Sequence, residues 1–213
     1  MIKIENTEVY GWEVAIRGMR NPMNSWDKSD SGYVFASYED GKEGAYFKIG
    51  KNDKALMKNL VKSGSDHSKF MRIITVTLDV TAPLYWWKEY DTYKIGTVRN
   101  SCSTMHKIAE KEFTLDDFSY EHLCENSMRA LKRVIDVLNI EQNNYSISKK
   151  KWAWWQMIQL LPSSYNQRAT LQLNYAVLRN MYHSRKNHKL DEWHDFCSWI
   201  ESLPYARELI CDD

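Results

Sequence analysis

The chain has 213 residues, 43% of them hydrophobic, with 29 basic and 28 acidic side chains and a formal net charge of +1. That length and apolar content support one sizeable core, so a single domain over residues 1–213 is predicted. The near-neutral charge removes the general electrostatic argument for DNA, RNA or a membrane surface as a partner, and none of these is expected. Cys102, Cys124, Cys197 and Cys211 form no CxxC pair, which argues against a zinc ribbon or a thioredoxin-type motif. His106 with Glu110 one turn on lacks further ligands, so no metal site is predicted. The N-terminal stretch MIKIENTEVYGWEV is charged and alternating, without the pattern of a secretory signal. No apolar run reaches the roughly eighteen residues of a membrane helix. The expectation is a reduced, cytoplasmic protein.

Residues Ile2 to Ile16 alternate loosely and carry Val, Ile and Tyr, which predicts one strand ending near Ile16. Gly18 to Gly32 is rich in Asn, Ser, Asp and Gly around Asn21-Pro22, and reads as a loop. With Arg17 and Arg20 at its start, that loop has two readings. It is a solvated connection, or an arm whose Asn, Ser and Arg donors touch a ligand phosphate. Tyr33 to Tyr38 predicts a short strand, and Glu39 to Asn52 a turn-rich segment with Gly41, Gly44 and Gly50. Asp53 to Lys62 shows helical spacing, capped by Asp53 and stopped by Gly64.

Met71 to Val80 alternates as a strand does, and Pro83 suits the first turn of a helix running to Tyr93. From Thr114, apolar residues at threes and fours predict a long helix with a break near Ser119. Asn143 to Ser148 reads as a loop. The segment Lys149 to Leu161, KKKWAWWQMIQLL, is only about three turns long. It is read as a packed helix with a solvated basic end, in preference to a membrane-surface helix. Gln167 to Arg185 and Leu190 to Leu203 predict two further helices, the second stopped by Pro204. Strands first and helices later favour an α+β or mixed α/β domain, with a mixed sheet and a helical C-terminal half.

The chemistry concentrates between Lys94 and Lys107. Lys94, Thr97, Arg99, Asn100, Ser101, Ser103, Thr104, His106 and Lys107 fall within one short stretch. Such a set holds a phosphate or a pyrimidine edge through charge-assisted and neutral hydrogen bonds. It is not a Walker loop, because the glycines are missing. The competing reading is a polar turn before a helix capped by Ser or Thr. Cys102 within it reads as a small packed residue.

Gly64-Ser-Asp-His67, the strand Met71 to Val80, Pro83 and the helix into Lys94 resemble the middle of the flavin-dependent thymidylate synthases. Asn174 and Arg185 keep the family spacing of eleven residues, and Leu161-Pro162 precedes that segment as in the family. The resemblance spans residues 53–107 and 160–204. It places the family's Arg-His-Arg triplet at Thr92-Tyr93-Lys94 and its following serine at Thr97. The chain is a divergent case, since both triplet arginines are absent and Lys94 alone keeps a cation. Lys does not reproduce a bidentate guanidinium fork, and Arg99, Lys107 and Arg179 are the cations available to replace it.

The resemblance implies a homotetramer with FAD between subunits, making dTMP from dUMP with methylenetetrahydrofolate and NADPH. By the same resemblance His67, Tyr93, Lys94, Thr97 and Arg185 would contact the cofactor. Arg99, Asn100, Ser101, Cys102, Ser103, Thr104 and Asn174 would contact the pyrimidine nucleotide. Three functions stay open: a flavoenzyme modifying a pyrimidine nucleotide, a non-catalytic nucleotide-binding protein on the same scaffold, and an interaction protein built on nine Trp and thirteen Tyr.

Overall fold

The computed structural model describes residues 2–37 and 43–212. Strand β1 (Lys3–Tyr10) gives way at Gly11 to helix α1 (Trp12–Arg20). The single strand expected to reach Ile16 is therefore a strand and a helix. Ala15, Ile16 and Met19 are buried at helical spacing, which overrides the loose alternation before them. Gly11 makes the switch possible. It sits at φ 89, and a Cβ there would lie 2.4 Å from the Ile73 carbonyl oxygen.

Two 3-10 turns follow, and then the hairpin of β2 (Gly32–Ser37) and β3 (Glu43–Lys48). Strand β3 lies where only turns were expected, whereas Tyr38 and residues 39–42 of those two expectations lie outside the described residues. Helix α2 (Lys51–Lys62) starts at a Gly50 cap, not at Asp53, and Gly64 just beyond it has φ 102. Strand β4 (Thr75–Pro83) leads directly into α3 (Leu84–Tyr90), and β5 (Val98–Ser101) precedes the one-turn helix α4 (Thr104–Lys107). The long helix begins later than predicted. Residues 115–117 form only a 3-10 turn, and α5 runs from Glu125 to Ser148, absorbing the loop expected at Asn143. Helix α6 is Lys151–Leu160.

The largest departure is β6 (Asn166–Asn174), with α7 (Tyr175–Arg185) beginning only after it. One continuous helix was expected there. Ala169, Leu171 and Leu173 alternate strictly with exposed Arg168, Thr170 and Gln172, a period of two that Leu178 and Met181 then break. Helix α8 (Asp191–Ser202) follows.

The main sheet has the order β1-β4-β6-β5, and every pairing in it is antiparallel. The fold is thus α+β. One sheet face, from Val76, Leu78, Val80, Ala82, Leu171 and Leu173, packs into a core completed by α2, α3, α7 and α8. A second cluster joins Leu131, Ile135 and Leu138 of α5 to Met157 of α6 and to Phe113 and Phe118. No described helix is long and apolar enough to cross a membrane.

A buried ion pair ties the N-terminal third together. Arg20 (5% exposed) donates from Nε to Asp53 (0% exposed) at 2.6 Å. Asp53 also accepts from Ser29 Oγ at 2.7 Å, Ser31 Oγ at 2.6 Å and the Asp30 amide at 3.1 Å. The remaining guanidinium nitrogens reach the Ser25 and Lys28 carbonyls at 3.0 Å each. Burial pushes the Asp53 carboxyl up, but the bonds from Ser31, Ser29 and Arg20 outweigh it and hold it below the usual carboxylate range. Arg20 closes the segment read as a loop onto α1 and α2. Breaking such a pair leaves an uncompensated buried charge. Asp53→Ala is expected to lose about 3–5 kcal/mol in urea denaturation, and Arg20→Met/Asp53→Leu clearly less.

Candidate functional site

The stretch nominated in the sequence divides between two open clefts and two structural knots. The first cleft, of about 360 Å³, lies between the turn after α2 and the side of α7. Ser65, Ser68, Arg72, Arg179, Asn180 and His183 supply its polar walls. His67 is exposed in the same turn, with its backbone amide donating to the Gly64 carbonyl at 3.1 Å. Arg72 is exposed and meets no hydrogen-bond or ion-pair partner among the described residues. Arg179 is anchored through Nη1 to the carbonyls of Leu209 (3.2 Å), Ile210 (3.0 Å) and Asp212 (2.7 Å). His183 Nε2 lies 2.8 Å from the same Ile210 carbonyl.

The second cleft, of about 460 Å³, opens where β5 ends. Cys102, Ser103 and Thr104 form one side, and Lys107, Lys111 and Arg168 bring three cations to it. Two carboxylates also line it, Glu110 paired with Lys107 and Asp117 paired with Lys111. The turn is fixed by the sheet: the Cys102 amide donates to the Arg168 carbonyl at 2.8 Å, and Gln167 Nε2 donates to the Cys102 carbonyl at 2.7 Å. Ser103 caps α4 by accepting from the His106 amide at 3.2 Å. Arg168 is aimed by Asp79, 2.9 Å from its Nη2, and lies 3.5 Å from Glu5.

Asn100 and Ser101 are exposed on the edge strand β5 and not among the walls of either cleft. Arg99, on the same strand, turns inward. Its Nη1 donates to both Asp91 oxygens at 2.8 and 2.9 Å, its Nη2 to Gln167 Oε1 at 2.7 Å, and its guanidinium covers the Trp87 ring at 4.0 Å. This knot fastens the segment after α3 to the sheet.

The second knot joins the two halves of the nominated cofactor set. Arg185 Nε donates to the Tyr93 hydroxyl at 2.9 Å, Nη1 donates to Glu89 at 2.9 Å, and the guanidinium lies 5.0 Å from the Trp193 ring centre. Thr97 Oγ1 donates to the Tyr93 carbonyl. Asn174 caps α7 by accepting from the Val177 amide at 3.0 Å. Gly96, at φ 75, lets the loop approach that cap, since a Cβ there would stand 3.0 Å from Asn174 Nδ2. Lys94 is exposed and unpaired among the described residues. Arg72, Arg168 and His183 were not singled out in the sequence. Arg168 was hidden because its segment was read as helix, and its outward position follows only from the strand's alternation. No group of three or more His, Cys, Asp or Glu suited to a metal ion exists among the described residues.

No protein-family model matches the sequence, and no curated protein matches it. Solved structures do match. Thymidylate synthase X (ThyX) from Helicobacter pylori, crystallised with FAD and dUMP, superposes with a TM-score of 0.68 at 16% identity, over 99% of this chain and 97% of that one. A UMP/dUMP methylase, PolB from Streptomyces cacaoi bound with 5-Br UMP, gives 0.63 at 15% identity, over 99% and 94%. The chain thus has the fold of the flavin-dependent thymidylate synthases.

Hydrogen bonds from Thr170, Asn6 and Arg168 hold the Asp79 carboxyl down at about 2, against an ordinary 3.8. A depressed carboxyl stabilises the folded chain above its ordinary pKa, and that contribution disappears as pH falls through the folded value. The stability difference between wild type and Asp79→Asn, read by urea denaturation, is expected to hold from neutrality down to about pH 4 and shrink towards pH 2.

Proposed function

We propose that this chain binds a pyrimidine nucleotide on a flavin-dependent thymidylate synthase scaffold. The observation that supports it is the second cleft: an open volume with Arg168, Lys107 and Lys111 around a turn of Ser and Thr hydroxyls. Phosphate oxygens accept from such donors, and the side-chain amide and hydroxyls nearby suit the edge of a uracil ring. On this reading Cys102, Ser103, Thr104 and Arg168 hold dUMP or a related nucleotide. Asn100 and Ser101 extend the contact along β5, and Asn174, at the far end of β6, caps α7. Arg99 contributes by holding the turn in place.

The finer reading is a flavoenzyme, with FAD as cofactor and methylenetetrahydrofolate and NADPH as co-substrates in dTMP formation. The first cleft suits the phosphate-bearing part of FAD, because two serine hydroxyls and two arginines converge on it. Its 360 Å³ is near the low end for small-molecule sites, so this chain's walls would hold one portion of a dinucleotide. Ser65, Ser68, Arg72 and Arg179 would grip the phosphates, with His67 in the same turn, whereas Tyr93, Lys94, Thr97 and Arg185 line neither cleft and would meet the cofactor only beyond these walls. When bound, FAD would supply hydride transfer, and the chain's own part is positioning and electrostatic stabilisation. A second copy would complete the site in a homotetramer. Exposed Ile140 and Ile147 of α5 and Trp152 and Trp155 of α6 suit contact between copies.

One observation favours a nucleotide-binding protein without turnover. At the family's triplet only Lys94 is a cation, and the Tyr93 hydroxyl is already taken by Arg185. The visible spectrum, NADPH oxidation with and without dUMP, and the melting temperature with dUMP separate the readings. Flavin absorbance together with dUMP-stimulated NADPH oxidation supports the enzyme. A colourless protein whose melting temperature rises with dUMP supports binding alone. With neither flavin nor shift, the nucleotide reading fails. If it holds, Arg168→Ala weakens dUMP binding by about 1.5–3 kcal/mol, roughly tenfold or more in Kd.

A further inference from the structure

A third cleft, of about 280 Å³, lies between α1, the 3-10 turn at Trp26–Lys28 and the β2–β3 hairpin. It shares no lining residue with the two clefts above. Its walls are aromatic. Tyr33 and Phe47 are register partners across the hairpin, with ring centres 5.3 Å apart and planes at 78°. Trp26, on the 3-10 turn, is 50% exposed, its ring oriented by a 2.8 Å bond from Nε1 to Asn21 Oδ1. Ile16 and Arg20 form the base, with Arg20 held from behind by buried Asp53.

The polar groups sort cleanly. Ser29 and Ser31 donate their hydroxyls to Asp53, and Arg20 is saturated by Asp53, Ser25 and Lys28. They fix the base and leave little to offer a ligand. At the mouth, one helical turn apart on α1, are Glu13 and Arg17. Arg17 is exposed and has no partner among the described residues. Among the described residues, Glu13 accepts one long, 3.4 Å bond, from the Tyr33 hydroxyl. The cleft thus presents aromatic faces, one unpaired guanidinium and one carboxylate with acceptor capacity to spare.

We propose that this cleft binds a purine nucleoside monophosphate. Its size admits one planar ring system rather than an extended chain. The ring stacks between Trp26 and the Tyr33–Phe47 wall, since every base has a π-face for such rings. Arg17 takes the phosphate as a fork of donors. Glu13 accepts from ring-edge N–H groups. Guanine offers two adjacent donors to a carboxylate and adenine does not, so GMP is preferred to AMP.

Calorimetric titration of the full chain with GMP, AMP and dUMP tests this. GMP binds more tightly than AMP. Arg17→Ala and Trp26→Ala each weaken GMP binding by about tenfold or more. Glu13→Gln removes the preference for GMP over AMP, and Arg168→Ala leaves GMP binding unchanged. Arg17 is exposed on α1, so its variant keeps the test valid even if the Trp26 variant fails to fold. No heat with GMP, wild-type affinity in Arg17→Ala, or a GMP loss in Arg168→Ala would each overturn the proposal. The dUMP titration reads the second cleft separately, so either reading can fail without the other.

Discussion

The nine-pair ladder between β4 and β6, from Thr75↔Asn174 to Pro83↔Asn166, is the constraint on which the rest of the structure hangs. It joins segments some ninety residues apart and buries Val76, Leu78, Val80, Leu171 and Leu173 to 1% exposure or less. Because side chains alternate along a strand, a slip of one residue would send Arg168 into the core and Leu171 to solvent. The same ladder launches α3 from one end of the sheet and α7 from the other. Tyr93, just past α3, and Arg185, at the end of α7, then meet across 92 residues of sequence. Both clefts of the candidate site border elements whose positions this pairing sets.

Much of this was legible locally. Strand β4, helices α2, α3, α6 and α8 and the α+β character follow from periodicity, glycine stops and prolines. The failures share a cause. Between residues 167 and 185 the apolar positions 171, 173, 177, 178 and 181 satisfy a helix nearly as well as a strand followed by a helix. What decides is β4 on one side and β5 on the other, partners that no local window contains. Strand β1 and helix α1 were merged for a similar reason, because the break at Gly11 answers to the Ile73 carbonyl, far along the chain.

The cations were harder to read than the elements. Arg20, Arg99 and Arg185 looked available for a ligand, yet each is held by a carboxylate and by carbonyls, amides or rings within the chain. Arg72 and Arg168 stand in segments with no local sign of a site, and they face clefts. Arginine is long and forms its fork wherever a carboxylate lies within reach, so its role depends on tertiary neighbours more than on its own segment. The hydroxyl turn Cys102–Thr104 was easier, because its position follows directly from the end of β5.

The anchoring of Arg179 has an electrostatic consequence of its own. Its ties to residues 209, 210 and 212 run to peptide oxygens, which are dipoles and carry no net charge. Hydrogen bonding of this kind immobilises a guanidinium without neutralising it, unlike the carboxylate contacts of Arg20 or Arg99. A full positive charge is therefore fixed in place beside Arg72, and no acidic side chain is among the described residues that line the cleft with them. That corner of the molecule keeps a permanent local field that draws in small anions, and added salt would screen it.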